Sequence, residues 1–260
     1  MPAGSSTSSG PDAGAVTERL DLLVGGQRLA GVLHLPKGSQ HVPCVVACHG
    51  MGASKDSDKY LLLGQKLPPA GLALARFDFR GSGGSGGSWR EATVASRIAD
   101  AEALLAHLTS HPRLNGRLGL LGSSLGGYVA LWTAARRRGW ASTGVPVPVV
   151  TWNAPAELSG LPAQPISEES GLGPAMVAEV STGRHAEAPA GVDHLLVIQG
   201  EADEVVPPRH GRLLYDLAGE QRELQLLPGA DHRLSDMSHR LQALALSRDW
   251  LARWLKGKKA

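Results

Sequence analysis

The chain has 260 residues and a mass of 27.2 kDa, with 26 Lys plus Arg against 24 Asp plus Glu and a formal charge of +2. A balance so near neutrality argues against general nucleic-acid binding, which needs a basic face. Hydrophobic residues make up 42% of the chain and gather in short runs, enough for one substantial core and against disorder throughout, while 33 Gly and 17 Pro imply many loops.

The first fifteen residues, MPAGSSTSSGPDAGA, read as a polar, flexible lead-in over 1–15. They lack the basic start and apolar stretch of a secretory leader, and no later run of eighteen apolar residues could insert into a membrane, so a cytoplasmic location is expected. β-type runs then recur at 19–24, 28–35, 42–49, 72–79, 117–122, 146–152, 194–200 and 222–228. Gly25, Gly26 and Gln27 between the first two suit a hairpin. The later runs are nearly continuous in apolar content and are separated by helix-length segments at 56–69, 92–109, 125–138, 208–219 and 238–255. The expected fold class is α/β: a mostly parallel eight-stranded sheet with an antiparallel start and helices on both faces.

Within the third run, VPCVVAC, Cys44 and Cys48 lie roughly 13 Å apart along a strand, too far for a disulfide with each other, and they read as buried apolar filler. The last helix carries Leu241, Leu244, Ala245, Trp250, Leu251, Trp254 and Leu255 at helical spacing, a packing stripe. From Ala154 to Asp193 the alternation breaks, with Pro155, Pro162, Pro165, Pro174 and Pro189 among glycines. Too short for a second domain and too long for an ordinary connection, 154–193 is expected to be a small cap inserted into a core of 16–153 and 194–256.

The sharpest signal is Gly122-Ser123-Ser124-Leu125-Gly126-Gly127, between a strand and a helix. This is G-x-S-x-G in the strand-turn-helix context that lifts a serine above a sheet edge, where large neighbours would collide as the chain reverses. A purely structural Gly/Ser turn is the competing reading until partners are found. Serine needs an imidazole to take its proton, and the imidazole needs a carboxylate to orient it. Asp203 follows the run HLLVIQG and His232 follows RELQLLP, both in loops after strands and in the chain order expected for this fold. Glu201, Glu204 and Asp231 compete as the acid, and His239 as a distant alternative base; His194 and His210 read as structural. Two backbone donors are required for the oxyanion: Leu125 N–H, after the nucleophile, and Met51 N–H, in the loop His49-Gly50-Met51-Gly52 that His49 would brace.

HGMGASKDS, LARFDFRGSGGSGGS, LGLLGSSLGGYVAL, VIQGEADEVVP and PGADHRLSD, taken in order over about residues 25–255, resemble the cinnamoyl or feruloyl esterase group and related serine hydrolases of the α/β-hydrolase superfamily. The resemblance implies Ser124, Asp203 and His232 as triad, Met51 and Leu125 as oxyanion hole, and a cap after strand six over the acyl pocket.

Two features are decoys. GSGGSGG at 81–87 follows a strand but opens no helix, so it reads as a tight loop and not a dinucleotide site, its base pinned by a pair between Asp78 and Arg80. Arg136, Arg137 and Arg138 complement the end of a helix capped by Gly139. Trp89, Trp152, Asn153 and Val206, on or near loops at strand ends, are the pocket candidates. The expected activity is hydrolysis of small or medium apolar acyl esters by water, with no metal or organic cofactor. Amides, peptides or thioesters are alternative substrates, and a silent binding protein is the alternative to an enzyme.

Overall fold

Gly25 and Gly26, at φ 57° and 77°, turn the chain in two residues, and β1 (Ala15–Val24) pairs with β2 (Gln27–Pro36) along its whole length. β1 therefore starts at the last residue of the expected lead-in. The computed structural model describes residues 15–137, 147–159, 167 and 172–257. The lead-in at 1–14, the helix end at Arg138 and Gly139, and Pro162 and Pro165 lie outside the described residues.

β3 (Val42–Cys48) and β4 (Ala73–Phe77) are buried along their whole length, which explains their unbroken apolar runs. β5 (Leu114–Ser123), β6 (Val149–Trp152), β7 (Leu195–Gly200) and β8 (Arg222–Leu227) complete one sheet in the order β1-β2-β4-β3-β5-β6-β7-β8. β1 and β2 are antiparallel and β2 runs antiparallel to β4, while every pair from β4 to β8 is parallel. The chain winds one way from β3 to β4 and the other way from β5 onward. That reversal opens a crevice at the carboxyl ends of β3 and β5, where Cys48 stands opposite Gly122.

Among the described residues six α-helices cover the sheet. On one face α2 (Val94–Thr109), α3 (Leu125–Arg137) and α5 (Arg209–Leu217) enclose a core that includes Ile98, Leu105, Tyr128 and Leu214; α4 (Pro174–Ser181) adds Met176. On the other, α1 (Asp58–Lys66) and α6 (Met237–Lys256) bury Tyr60, Leu63, Leu244, Trp250 and Leu251 against Val45, Leu121 and Ile198. The α6 stripe differs from the expected one. Ala243 and Ser247 belong to it, whereas Leu241 is 43% exposed, because about 100° per residue carries position 241 off the face centred on Ser247, Trp250 and Leu251. Cys44 and Cys48 are free and fully enclosed, and burial pushes both thiols up to about 12. Among the described residues no helix is long and apolar enough to cross a membrane.

Asp78 and Arg80 do not pair with each other. Asp78 is fully buried, accepts from the backbone N–H groups of Lys55 (2.7 Å) and Gly84 (2.8 Å), and meets Lys55 Nζ at 3.1 Å. The 81–87 loop wraps this carboxylate: a Cβ on Gly83 would sit 2.3 Å from Asp78 Oδ2. Arg80 reaches instead to Asp100 on α2, giving its Nε–H at 2.5 Å and its backbone N–H at 2.9 Å. Two backbone N–H groups and the Lys55 amine, not Arg80, therefore occupy the Asp78 carboxylate.

Burial raises the Asp100 carboxyl and the Arg80 contacts oppose that rise, so removing one partner strands the other charge. Asp100→Ala is therefore expected to lower unfolding free energy by about 3 kcal/mol in chemical denaturation. A loss below about 1 kcal/mol would show that this pair does not hold the loop to α2.

Candidate active site

Ser124 lies between β5 and α3 with φ 55°, a left-handed conformation that side-chain-bearing residues rarely adopt. Its N–H donates to Trp152 O at 2.8 Å, and its carbonyl accepts from Gly127 N–H at 2.9 Å. Two glycines make the turn physically possible: a Cβ on Gly122 would fall 2.3 Å from Gly126 O, and one on Gly126 would fall 2.1 Å from Cys48 O.

Loops from β7 and β8 meet this turn. Asp203, buried, accepts from Val205 N–H at 2.9 Å and Val206 N–H at 2.7 Å through Oδ1. Its Oδ2 accepts from His232 Nδ1–H at 2.8 Å, and His232 Nε2 lies 3.2 Å from Ser124 Oγ, placed to accept the hydroxyl proton. Gln199 Nε2, 3.4 Å from Asp203 Oδ2, also donates to Val206 O at 2.9 Å. Asp203 and Ser124, 29 and 108 positions before His232 in the chain, thus stand in series with it. The competing acids point elsewhere: Glu201 and Glu204 are exposed, and Asp231 accepts from Ser235 N–H at 2.8 Å, tightening its own loop.

On the opposite side, a Cβ on Gly50 would meet Ser123 O at 3.0 Å and Ser124 Cβ at 3.1 Å, so the loop after β3 passes directly against the serine and brings Met51 alongside. Met51 N–H has no backbone acceptor among the described residues. Leu125 N–H, at the first residue of α3, has no helical carbonyl one turn back. His49 braces this loop as expected: Nδ1–H donates to Gly50 O at 2.8 Å and Nε2 accepts from Phe79 N–H at 3.1 Å. Burial, with Arg97 nearby, lowers its imidazole to about 4, which leaves it neutral.

The pocket candidates divide. Trp152 does not face a pocket: its indole is buried in the core under α6 and Nε1–H donates to Ser247 Oγ at 2.8 Å, because the strand's alternation turns it away from the sheet edge. Asn153 is also buried, with φ 51°, and is a brace. Its Nδ2 donates to Asp231 O (3.1 Å) and His232 O (2.9 Å) while Oδ1 accepts from Gly200 N–H (2.7 Å), clamping the histidine loop to the end of β7. Val206 is buried within the Asp203 turn. Trp89 is half-buried, stacked under the Arg90 guanidinium at 4.6 Å, and its carbonyl lies where a Cβ on Gly173 would be. From 172 to 193 the chain is tied to α2 and α3: Glu179 accepts from Val94 N–H at 2.6 Å and Ala95 N–H at 3.2 Å, and Tyr128 Oη–H donates to His185 O at 2.7 Å.

Sequence reasoning missed Lys59. Its Nζ donates to Ser123 Oγ at 2.9 Å, and burial, with Arg240 and Arg233 adding repulsion, lowers the amine to about 8. One lysine in the first turn of a helix carries no signal that distinguishes it from a solvated one.

Residues 45–258 match the model of the prolyl oligopeptidase family. The chain belongs to that family. It is 28% identical over 187 residues to the uncharacterized protein YfhR of Escherichia coli K12; the match covers 71% of this chain but only 61% of that relative's length. Among solved structures, Est1E from Butyrivibrio proteoclasticus with ferulic acid bound has a TM-score of 0.76 at 19% identity, covering 92% of this chain and 100% of that one. A putative hydrolase from Agrobacterium vitis S4 has a TM-score of 0.73 at 21% identity, covering 91% and 98%. These likenesses show the α/β-hydrolase fold.

Between pH 6.5 and about 4 the unfolded chain binds a proton at His49 that the folded chain refuses, so this group's contribution to stability falls as pH drops through that window. Nitrogen-detected NMR of the His49 ring at pH 5.5 is expected to show the neutral tautomer protonated on Nδ1. A ring titrating near 6.5 would overturn the enclosed assignment.

Proposed function

We propose that this family member is a serine hydrolase that cleaves small or medium apolar acyl esters through an acyl-enzyme on Ser124. The observation that carries this reading is the unbroken series from Asp203 through His232 to Ser124, ending on a serine held at positive φ beside two backbone N–H groups, of Met51 and Leu125, that have no backbone acceptor among the described residues.

In the first half-reaction Ser124 Oγ attacks the ester carbonyl and His232 Nε2 takes its proton. The oxyanion is held by the N–H groups of Met51 and Leu125, and collapse expels the alcohol, which leaves with the proton from His232. In the second half a water gives its proton to His232 and attacks the acyl carbon, and the acid departs as Ser124 regains its hydrogen. Asp203 keeps Nδ1 protonated and Nε2 free, and stabilises the imidazolium formed in each half. The half-buried Met51 side chain and Trp89 supply apolar contact for the acyl group, with the described stretch 172–193 as part of a cap. Free, buried thiols at Cys44 and Cys48 suit the reducing cytoplasm.

Membership of a family named for an oligopeptidase favours one second reading, that the same series cleaves amide or peptide bonds. Matched acyl ester, anilide and thioester probes on purified protein decide between them: ester hydrolysis is expected to dominate, and faster anilide turnover would transfer the assignment to a peptidase. A fluorophosphonate is expected to label wild type and not Ser124→Ala; folded wild-type protein that stays unlabelled would make the chain a binding protein. Asp203→Asn is expected to lower kcat about 10,000-fold through a misoriented imidazole, measured on active-site-titrated enzyme. Unchanged kinetics would remove Asp203 from the mechanism.

A further inference from the structure

Lys59 and Tyr60, neighbours in the first turn of α1, reach the two strand ends that meet at the serine. Tyr60 Oη–H donates to Cys48 O at 3.1 Å, at the end of β3, and Lys59 Nζ donates to Ser123 Oγ at 2.9 Å, on the residue before the nucleophile. Both Tyr60 and Ser123 are buried. The left-handed conformation of Ser124 persists only where its surroundings over-determine it. Ser124 is fixed on one side by Trp152 O and on the other by α3; the side chain of Ser123 is fixed from α1.

The amine is an expensive choice for a merely structural tether. Asp231 and Asp203, from the loops after β8 and β7, favour its charge, but burial, Arg240 on α6 and Arg233 beside His232 oppose it more strongly. On its own helix, Asp58 lies 3.8 Å from Arg240. The amine ionises lower in the folded chain than its ordinary 10.5, so between about 8 and 10.5 the unfolded chain binds more protons and stability rises with pH. At neutral pH the charge therefore works against folding.

We propose that Lys59 is a positioning residue for acylation: by donating to Ser123 it fixes the turn that carries Ser124, and so sets the distance over which the serine proton passes to His232. The kinetic part rests on the hydrolase reading above; the tether itself does not. A charged donor makes the stronger hydrogen bond, so the tether slackens as the amine loses its proton.

The test compares wild type, Lys59→Met, Ser123→Ala and the double variant, with ester kcat and KM normalised to fluorophosphonate titration. Each single change is expected to lower kcat about tenfold with KM held, and the double to be no worse than the worse single, as for two ends of one contact. Wild-type kcat is expected to fall with an apparent pKa near 8, and Lys59→Met to lose that limb while unfolding no more easily at pH 7. A Lys59→Met kcat within about twofold of wild type, or losses that multiply in the double variant, would overturn the proposal. Ser123→Ala deletes one oxygen atom and carries the test should Lys59→Met fail to fold. The amine's titration, followed by NMR of its Cε methylene, must also move in Ser123→Ala. No movement rejects the tether even if esters are hydrolysed, whereas a tether with an unlabelled Ser124 rejects the hydrolase reading alone.

Discussion

A serine held at φ 55° is the constraint around which the neighbouring elements are arranged. Gly122 and Gly126 remove the side chains that would strike backbone at 2.3 and 2.1 Å, and this lets β5 pass under α3 so closely that the turn abuts the end of β3. Ser124 is held by Trp152 O from β6 and by the first turn of α3, while Lys59 from α1 bonds the side chain of the preceding Ser123. Remove the close approach of β3 and β5 and neither the loop after β3 nor Ser124 has a fixed place.

Neutral and charged polar groups divide the work of bracing. Neutral ones, His49 and Asn153, each join two loops through both of their polar ends and leave no charge to solvate. Charged ones, Asp78 and Asp100, are buried where the 81–87 loop and α2 must be anchored, and each is matched by several donors. A glycine-rich loop that looks like a phosphate cradle is therefore wrapped around one of the protein's own carboxylates.

The fold is shared with solved structures at 19–21% sequence identity. Such likeness does not carry across the side chains on loops that would select a ligand.

Much of the architecture was legible in the residues because it depends on local periodicity. Buried parallel strands need unbroken apolar runs, a two-residue hairpin needs Gly-Gly, and helices show their stripes, so eight strands and five of the six helices fell where patterning put them. The candidate site residues Ser124, Asp203 and His232 were legible for a related reason, since each stands in a loop after a recognisable strand, beside small residues that a sharp turn requires. Periodicity is silent on where a side chain goes once it leaves its element. Trp152 and Asn153 are adjacent in sequence, yet one fills the core under α6 and the other clamps two loops. Arg80 passes over Asp78 to reach Asp100, and Lys59 turns from solvent to Ser123, across 64 positions of chain. Those choices are made by which donors and acceptors packing leaves unfilled at close range, a quantity that exists only once the sheet has closed.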